Sequence, residues 1–195
     1  MSRIVYVNGS YLPEEQARIS VFDRGFLFAD GVYEVSSVLR GKLIDNRGHL
    51  ARLHRSLGEL DMAAPAGDAD IEAIQLALIE KNALDEGLVY LQVTRGAADR
   101  DFAYPEGVES SLVMFTQQKD VVDSPQAASG ISVIAVDDMR WRRRDIKTVG
   151  LLAPCMAKMQ ARAAGADDAW LVEDGYVTEG SSSNAFIVDP DGTLI

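Results

Sequence analysis

Apolar and polar residues alternate along short runs in the first part of the chain, which is the pattern of β-strands with one buried face. Two pairs of these runs are separated by the dipeptides Asn8-Gly9 and Arg40-Gly41, and this spacing predicts two hairpins. The polar, turn-rich residues 96–107 separate the last two runs and predict a loop long enough to be functional. The predicted strands are residues 4–7, 11–12, 32–39, 42–44, 88–94 and 111–116.

Three segments have the three-to-four-residue apolar spacing of amphipathic helices. The first begins at Asn46, which we predict as its N-cap. The second begins at Asp68 or Asp70, and the third covers residues 151–164. The apolar stripes of the first two are Leu50, Leu53, Leu57 and Leu60, and Ile71, Ile74, Leu78 and Ile79.

The second part of the chain begins after residues 120–130, whose proline, serine and alanine content is typical of a linker. Short apolar runs beyond it predict strands at residues 131–136, 169–172, 176–177 and 185–188. We therefore predict an α+β fold with an N-terminal lobe at 1–119, a linker at 120–130 and a C-terminal lobe that begins at 131. Residues 193–195 resemble the start of another strand, so we expect 131–195 to be only the first part of that lobe.

Composition narrows the classes of partner. The chain is 47% hydrophobic and 25% charged, as globular proteins are, and its net charge of −11 disfavours a nucleic-acid-binding surface. Its single cysteine excludes an intramolecular disulfide framework, and His49 and His54 have the wrong spacing for a helical metal pair, so we predict no metal. No apolar run is long enough for a signal peptide or a membrane span, which indicates an intracellular, cytoplasmic protein.

Candidate chemistry is concentrated at Lys147 and at residues 178–184, which read Thr-Glu-Gly-Ser-Ser-Ser-Asn. A Gly-Ser-Ser-Ser turn can present backbone N–H groups and hydroxyls to a phosphate. Glu179 can pair with a protonated pyridine nitrogen, and the Lys147 amine can form a Schiff base with a carbonyl cofactor. These three properties together indicate pyridoxal 5'-phosphate (PLP).

Each of these residues also has a plain structural alternative. Lys147 follows four arginines, at positions 140, 142, 143 and 144, whose charge would favour a neutral, nucleophilic amine if some of them point the same way. The alternative is a solvated basic loop. Glu179 and the serine run could equally form a solvent-facing turn. Arg52, on the first helix with His49, could bind a phosphate or lie on the surface.

Five motifs, in order and spacing, resemble those of the class IV (fold type IV) PLP-dependent aminotransferases, and within them those of the D-amino-acid aminotransferases. The resemblance extends over essentially the whole chain. The motifs are Asp23-Arg24-Gly25, Asp30-Gly31-Val32-Tyr33-Glu34-Val35, Gln92-Val93-Thr94-Arg95-Gly96, Asp145-Ile146-Lys147 and Val177-Thr178-Glu179-Gly180-Ser181-Ser182-Ser183-Asn184.

The resemblance implies roles for the cofactor site. Lys147 would bind PLP covalently and shuttle the proton, and Glu179 would hold the pyridine nitrogen. Arg52 would bind the phosphate together with the turn that contains Ser181, Ser182 and Ser183.

The resemblance also implies a substrate site. Tyr33 would contact the substrate carboxylate, and Val35 would shape the pocket wall. Arg100 would reach the carboxylate from the partner subunit of a homodimer with shared active sites. Phe102 stands where the D-amino-acid enzymes often have histidine, which removes a donor and enlarges the apolar side of the pocket.

The function implied is transfer of an amino group from a D-alanine-like amino acid to a 2-oxo acid. Within the family, the alternatives are a branched-chain or amine transaminase and an aminodeoxychorismate lyase. Outside it, the alternative is a non-catalytic relative of the fold or a truncated fragment.

Overall fold

The computed structural model describes residues 2–195, which form two compact units. Unit 1 extends to Asp123 and also includes Asp145–Val149, and unit 2 comprises Ser124–Arg144 and Gly150–Ile195. The mixed helix and strand content confirms the predicted α+β class. The division differs from the predicted lobes at Asp145–Val149, which the sequence assigned to the second lobe and which pack with unit 1.

Unit 1 consists of one antiparallel sheet and three helices. Its elements are β1 (Ile4–Val7), β2 (Ser10–Pro13), α1 (Arg24–Phe28), β3 (Gly31–Leu39), β4 (Lys42–Leu43), α2 (Asn46–Glu59), α3 (Asp68–Lys81), β5 (Glu86–Thr94) and β6 (Ser111–Gln118). The six strands lie in the order β2-β1-β6-β5-β3-β4. Both predicted hairpins are confirmed, and the residues of both turns, Asn8-Gly9 and Arg40-Gly41, have positive φ, as tight hairpin turns require.

The core of unit 1 lies between α2, α3 and one face of the sheet. Alternate residues of β3 point to opposite faces, so Val32 and Val38 are fully buried while Tyr33 and Val35 face the other way. The predicted leucine and isoleucine stripes supply the helix side of this core, with Leu53 and Leu78 at 1% and 0% exposure. Burial of each such side chain contributes about 1.5–3 kcal/mol.

The prediction that Asn46 caps α2 is wrong. The N-cap position is Asp45, whose φ of 50° is left-handed and whose side chain makes no capping hydrogen bond. The Asn46 side chain is instead buried, where it accepts a hydrogen bond from Ser36 at 2.9 Å and donates one to Gln75 at 2.9 Å. Buried amides require such partners, so Asn46 ties β3, α2 and α3 together.

Unit 2 is smaller and contains α4 (Pro125–Ser129), β7 (Val133–Asp137), α5 (Leu152–Ala163), β8 (Asp168–Glu173) and β9 (Tyr176–Gly180). Its three-stranded sheet has the order β7-β8-β9, with β7 parallel to β8 and β8 antiparallel to β9. Helix α5 makes the crossover that parallel strands need and packs Ala157 and Ala161 on Ala169 and Leu171.

The predicted linker 120–130 contains the boundary between the two units and the short helix α4, which is capped by Ser124, whose side chain accepts from the N–H of Ala127. One expectation for unit 2 is wrong. Residues 185–188 do not form a strand of the sheet; they turn back on residues 193–195 through an isolated bridge between Val188 and Leu194. The backbone N–H and C=O of Ile187 are hydrogen-bonded to Ile195, so these groups need no neighbouring strand of the sheet as a partner. No helix within residues 2–195 has the length and apolar character needed to cross a membrane.

Candidate active site

Lys147 lies beside the edge of β3. The short strand β4 pairs only with Val38 and Leu39, so the first part of that edge is open to the segment that contains Lys147. Thr148 forms an antiparallel bridge with Val32, and the N–H of Tyr33 donates to the carbonyl of Lys147 at 3.0 Å. Residues opposite each other in such a pair point to the same face of the sheet. The Lys147 amine accordingly lies 4.5 Å from the centre of the Tyr33 ring, on the face away from α2 and α3.

Helix α2 supports the segment that carries Lys147. The neighbouring Ile146 is 3% exposed and belongs to the hydrophobic core of unit 1. Arg55 donates to the carbonyl of Asp145, and the N–H of Lys147 donates to the buried Ser56 hydroxyl at 3.3 Å. The backbone on both sides of the amine is therefore anchored, because the pleat places Ile146 in the core and Lys147 outside it.

A row of stacked aromatic rings extends from Tyr33 across the same face. The Tyr33 and Tyr90 ring centres are 5.6 Å apart and those of Tyr90 and Phe115 4.7 Å, each pair inclined by 19°. Burial, and to a smaller degree the neighbouring Tyr33, raises the pKa of Tyr90 to about 12. Tyr90 therefore stays neutral and donates to Gln92 at 2.9 Å, which makes it a fixed support for Tyr33. Val35, opposite Tyr90 in the sheet, borders this row.

Arg52 and His49 both bind the buried carboxylate of Glu34 on the helix side of β3. Arg52 makes a two-point pair, Nε to Oε1 at 2.7 Å and Nη2 to Oε2 at 2.8 Å, and His49 Nδ1 lies 2.8 Å from Oε2. Burial alone would raise the pKa of Glu34, but the hydrogen bonds from Arg52 and His49 outweigh it and the pKa is lowered. The pair fixes the plane of a guanidinium whose side chain remains 42% exposed.

Glu34→Gln should lower the free energy of unfolding at neutral pH by about 1–3 kcal/mol, because hydrogen bonds to a charged group are lost. Since the pKa of Glu34 is lowered below 4.5 on folding, this stabilisation is complete above pH 4.5 and is lost as the pH falls through the folded-state value. Urea unfolding of both proteins between pH 7 and pH 3 measures the difference, which should shrink on acidification. Glu72→Gln, at an exposed position of α3, is the control, and a difference between Glu34→Gln and the wild type that does not change with pH would contradict the assignment.

Glu179 lies on β9 in unit 2 and is bound by Arg140. Arg140 Nη1 donates to Glu179 Oε2 at 2.9 Å, while Nε and Nη2 hold Asp138 at 3.0 and 2.8 Å. Hydrogen bonds from Arg140 hold the pKa of Asp138, whose side chain is fully buried, well below its usual range. The other oxygen of Glu179 receives no hydrogen bond from the residues that the structure describes. Arg144 Nε also lies 3.5 Å from Asp138 Oδ2, and Arg144 binds Glu173. This group of three carboxylates and two guanidinium groups has a net charge of minus one.

The serine run after Glu179 forms a tight turn closed by Asp168. The Ser181 hydroxyl donates to Asp168 Oδ1, and the Ser183 hydroxyl lies 3.3 Å from Oδ2. A Cβ on Gly180 would come within 2.2 Å of the Ser183 hydroxyl oxygen and 2.8 Å of the Ser183 carbonyl oxygen, and because the backbone cannot rotate away, the turn favours glycine there. The hydroxyls of Ser181 and Ser183 thus bind Asp168, while Ser182 is exposed at the tip of the turn.

Arg100 and Phe102 lie in the predicted loop 96–107, which contains no helix or strand. The Phe102 ring is 78% exposed and its centre lies 5.5 Å from that of Phe28. The Arg100 guanidinium carbon is 5.2 and 5.4 Å from the centres of the same two rings. The loop thus presents a cation and an aromatic ring side by side.

Comparison with known proteins assigns the family. The sequence model of the family described as "Amino-transferase class IV" matches residues 31–195. This chain belongs to the class IV aminotransferases. The prediction made from the five motifs is confirmed, and so is the fold class.

Curated relatives of this class IV aminotransferase include the D-alanine aminotransferase of Bacillus licheniformis, 37% identical over 183 residues, or 94% of this chain and 64% of that protein. The D-alanine aminotransferase of Staphylococcus aureus (strain MSSA476) is 34% identical over 97% of this chain and 67% of its own length. The chain therefore spans about two thirds of the length of these relatives.

A solved structure with the same fold is that of the branched-chain aminotransferase from the thermophilic archaeon Thermoproteus uzoniensis with norvaline. It matches with a TM-score of 0.84 and 23% identity, over 100% of this chain and 67% of that chain. At this identity the likeness concerns the fold.

Within this class IV aminotransferase, the predicted cofactor residues fall into two groups, one in each unit. In unit 1, two consecutive residues of β3 contact them: Tyr33 contacts Lys147, and Glu34 binds Arg52. In unit 2, Glu179 and the serine turn follow each other along the chain. The sequence left open whether the preceding arginines crowd Lys147, and the structure shows Arg140 and Arg144 bound by carboxylates of unit 2.

Sequence reasoning missed the supporting residues Glu34, Arg140 and Asp168. A signal for Glu34 was present, because period-two alternation places it on the same face as Val32 and Val38, where a carboxylate needs a partner. No comparable signal marks the contact of Arg140 with Glu179 or that of Asp168 with Ser181, because the two partners of each contact are far apart in the local pattern.

Proposed function

We propose that this class IV aminotransferase transfers the amino group of a D-amino acid such as D-alanine to a 2-oxo acid, with PLP as its cofactor. The observation that carries the proposal is the Lys147 amine, fixed 4.5 Å from the Tyr33 ring on an anchored backbone. Two relatives that are named D-alanine aminotransferases, at 37% and 34% identity, support the choice of donor.

The residues present fit PLP. Lys147 offers an amine outside the core, and the Glu179 oxygen opposite the Arg140 contact has no partner among residues 2–195, so it can accept from a protonated ring nitrogen. Arg52 presents a fixed guanidinium, and the tip of the serine turn at Ser182 is exposed. We assign the phosphate to Arg52 and to the turn at Ser181, Ser182 and Ser183.

The mechanism places different tasks on these side chains. When bound, PLP supplies an aldehyde that links to amines and a ring that accepts the electron pair released as the substrate Cα–H bond breaks. Lys147 Nζ removes that proton and later returns it, so it alternates between amine and ammonium. The face of the Tyr33 ring stabilises the ammonium form. Glu179, held by Arg140, compensates the positive charge on the ring nitrogen.

We also propose a homodimer in which Arg100, with Phe102 beside it, reaches the substrate carboxylate in the site of the partner subunit, near Tyr33 and Val35. Four exposed apolar side chains support this, with exposures of 67%, 52%, 70% and 78%: Val21, Phe22, Phe26 and Phe102. Phe102 lies beside Arg100, and residues 22–24 pair with the start of its loop. Sedimentation equilibrium of the purified protein measures the mass of the assembly and tests the dimer.

The donor is tested by assaying the purified protein with D-alanine, L-leucine, a chiral amine and aminodeoxychorismate, each with a 2-oxo acid acceptor where transfer is measured. We expect kcat/KM for D-alanine to exceed that for L-leucine by at least about 100-fold, since a shaped pocket discriminates by differential transition-state binding. Transfer from L-leucine alone would overturn the D-specific assignment, and release of pyruvate from aminodeoxychorismate would instead indicate a lyase.

A further inference from the structure

Three of the sequence motifs contain charged residues with no task in the mechanism above. Arg24 precedes the glycine of the first motif, Asp30 opens the second, and Arg95 lies near the end of the third. The structure brings these residues together in unit 1. Arg24 Nε and Arg95 Nε donate to the same atom, Asp30 Oδ2, at 2.7 and 2.8 Å.

This cluster is buried and carries an excess positive charge. The side chains of Arg24, Asp30 and Arg95 are 3%, 8% and 9% exposed, and two guanidinium groups share one carboxylate. A buried charge without a counter-charge requires carbonyl oxygens or aromatic faces as partners. One such partner of Arg95 is the carbonyl of Leu60, whose oxygen lies 2.7 Å from Nη2.

Two further partners lie outside the loop: the carbonyl of Asp61, 3.3 Å from Arg95 Nη1, and the Phe28 ring of α1, whose centre is 4.6 Å from the guanidinium carbon of Arg24. The remaining partners come from the loop that carries Arg100 and Phe102. Arg24 Nη1 donates to the carbonyls of Asp101 at 2.6 Å and Ala103 at 3.3 Å, which are the residues on either side of Phe102. The Tyr104 ring centre lies 3.5 Å from the guanidinium carbon of Arg95 and 5.8 Å from that of Arg24. Tyr104 is nevertheless 54% exposed, so it packs on the cluster and not in the core.

We propose that Arg24, Asp30, Arg95 and Tyr104 form a clamp that positions the loop so that Arg100 meets the substrate carboxylate. The inference rests on the proposed function, because the role of Arg100 is part of it. The contacts at residues 101, 103 and 104 follow Arg100 directly. A bridge between Asp23 and Ala97 holds the first residues of the loop, whereas residues 99–107 form no helix, strand or bridge. These four are positioning residues, and the clamp acts on binding of the carboxylate and not on proton transfer.

Tyr104 is the residue to change, because its exposed ring can be removed while the pairs of Arg24 and Arg95 with Asp30 remain. In the holoenzyme, Tyr104→Ala should raise the KM for D-alanine about tenfold, the effect expected from loss of one cation–π contact, with kcat changed by less than about twofold. Hydrogen–deuterium exchange of peptides that cover residues 97–104 should become faster. Tyr104→Phe keeps the ring and should match the wild type in both measurements.

Tyr11→Ala is the matched control, since Tyr11 is also partly exposed and contacts a cation, Lys81, but lies on β2. It should leave both KM and exchange of the loop unchanged. Faster exchange with an unchanged KM, or unchanged exchange with a raised KM, would overturn the clamp. A protein that is inactive with every donor would refute the proposed function. Hydrogen exchange can be measured without turnover, so it would still decide whether Tyr104 holds the loop.

Discussion

Lys147→Ala is expected to lower the transamination rate by about four orders of magnitude or more, because one amine supplies both the covalent link and the proton transfer. The geometry supports a local effect. Ile146 carries the packing of this segment, at 3% exposure, while Lys147 points to the opposite face of the sheet. The free energy of unfolding should therefore change by less than about 0.5 kcal/mol, as for substitutions outside the core.

Two companions make this test sharper. Lys147→Arg keeps a cation next to the Tyr33 ring but cannot link covalently to an aldehyde, so it should be as inactive as the alanine variant. Lys119→Ala, at an exposed position, should retain full activity. Borohydride reduction followed by peptide mapping should locate the cofactor on Lys147 in the wild type. Activity within tenfold of the wild type in Lys147→Ala, or cofactor on another lysine, would refute the assignment.

Glu179→Ala should reduce kcat by about 10²–10³-fold, the loss seen when one electrostatic partner of a developing charge is removed. Arg140 holds the Glu179 carboxylate at 2.9 Å and is itself fixed on Asp138, so the negative charge is placed before the reaction begins. Affinity for the cofactor should fall less than kcat, because phosphate contacts remain and the charge on the ring matters most while the Cα–H bond is broken. Steady-state kinetics and equilibrium dialysis of PLP measure the two quantities.

Glu173→Ala provides the matched control. Like Glu179, Glu173 is an acidic residue of unit 2 that is bound by an arginine. Hydrogen bonds from Arg144 Nη1 and Nη2 lower the pKa of Glu173. It precedes the β8–β9 turn and has no task in the mechanism, so its loss should change kcat by less than about twofold. Equal kcat values for Glu179→Ala and the wild type would remove Glu179 from the ring-nitrogen role. A loss of cofactor affinity as large as the loss of kcat would indicate anchoring instead.

Local patterns predicted most elements because each depends on residues adjacent in the chain. The hairpin at Asn8-Gly9 follows from two residues that accept positive φ, and the Leu50–Leu53–Leu57 stripe follows from helical spacing. Predictions failed where a partner outside the local pattern decides the outcome. Asn46 has the side chain of an N-cap, but Ser36 and Gln75 satisfy it in the core. The run at 185–188 has the composition of a strand, yet its backbone pairs with residues 193–195.

The sequence by itself determined the family, through the order and spacing of five short motifs, and named Lys147, Glu179 and Arg52 as candidates. Tertiary structure alone decided what surrounds them. It placed Lys147 on the edge of β3 next to Tyr33, gave Arg52 a buried carboxylate at Glu34, and turned the hydroxyls of Ser181 and Ser183 toward Asp168. These contacts join residues far apart in sequence, and their strength depends on burial and charge that only the folded chain creates.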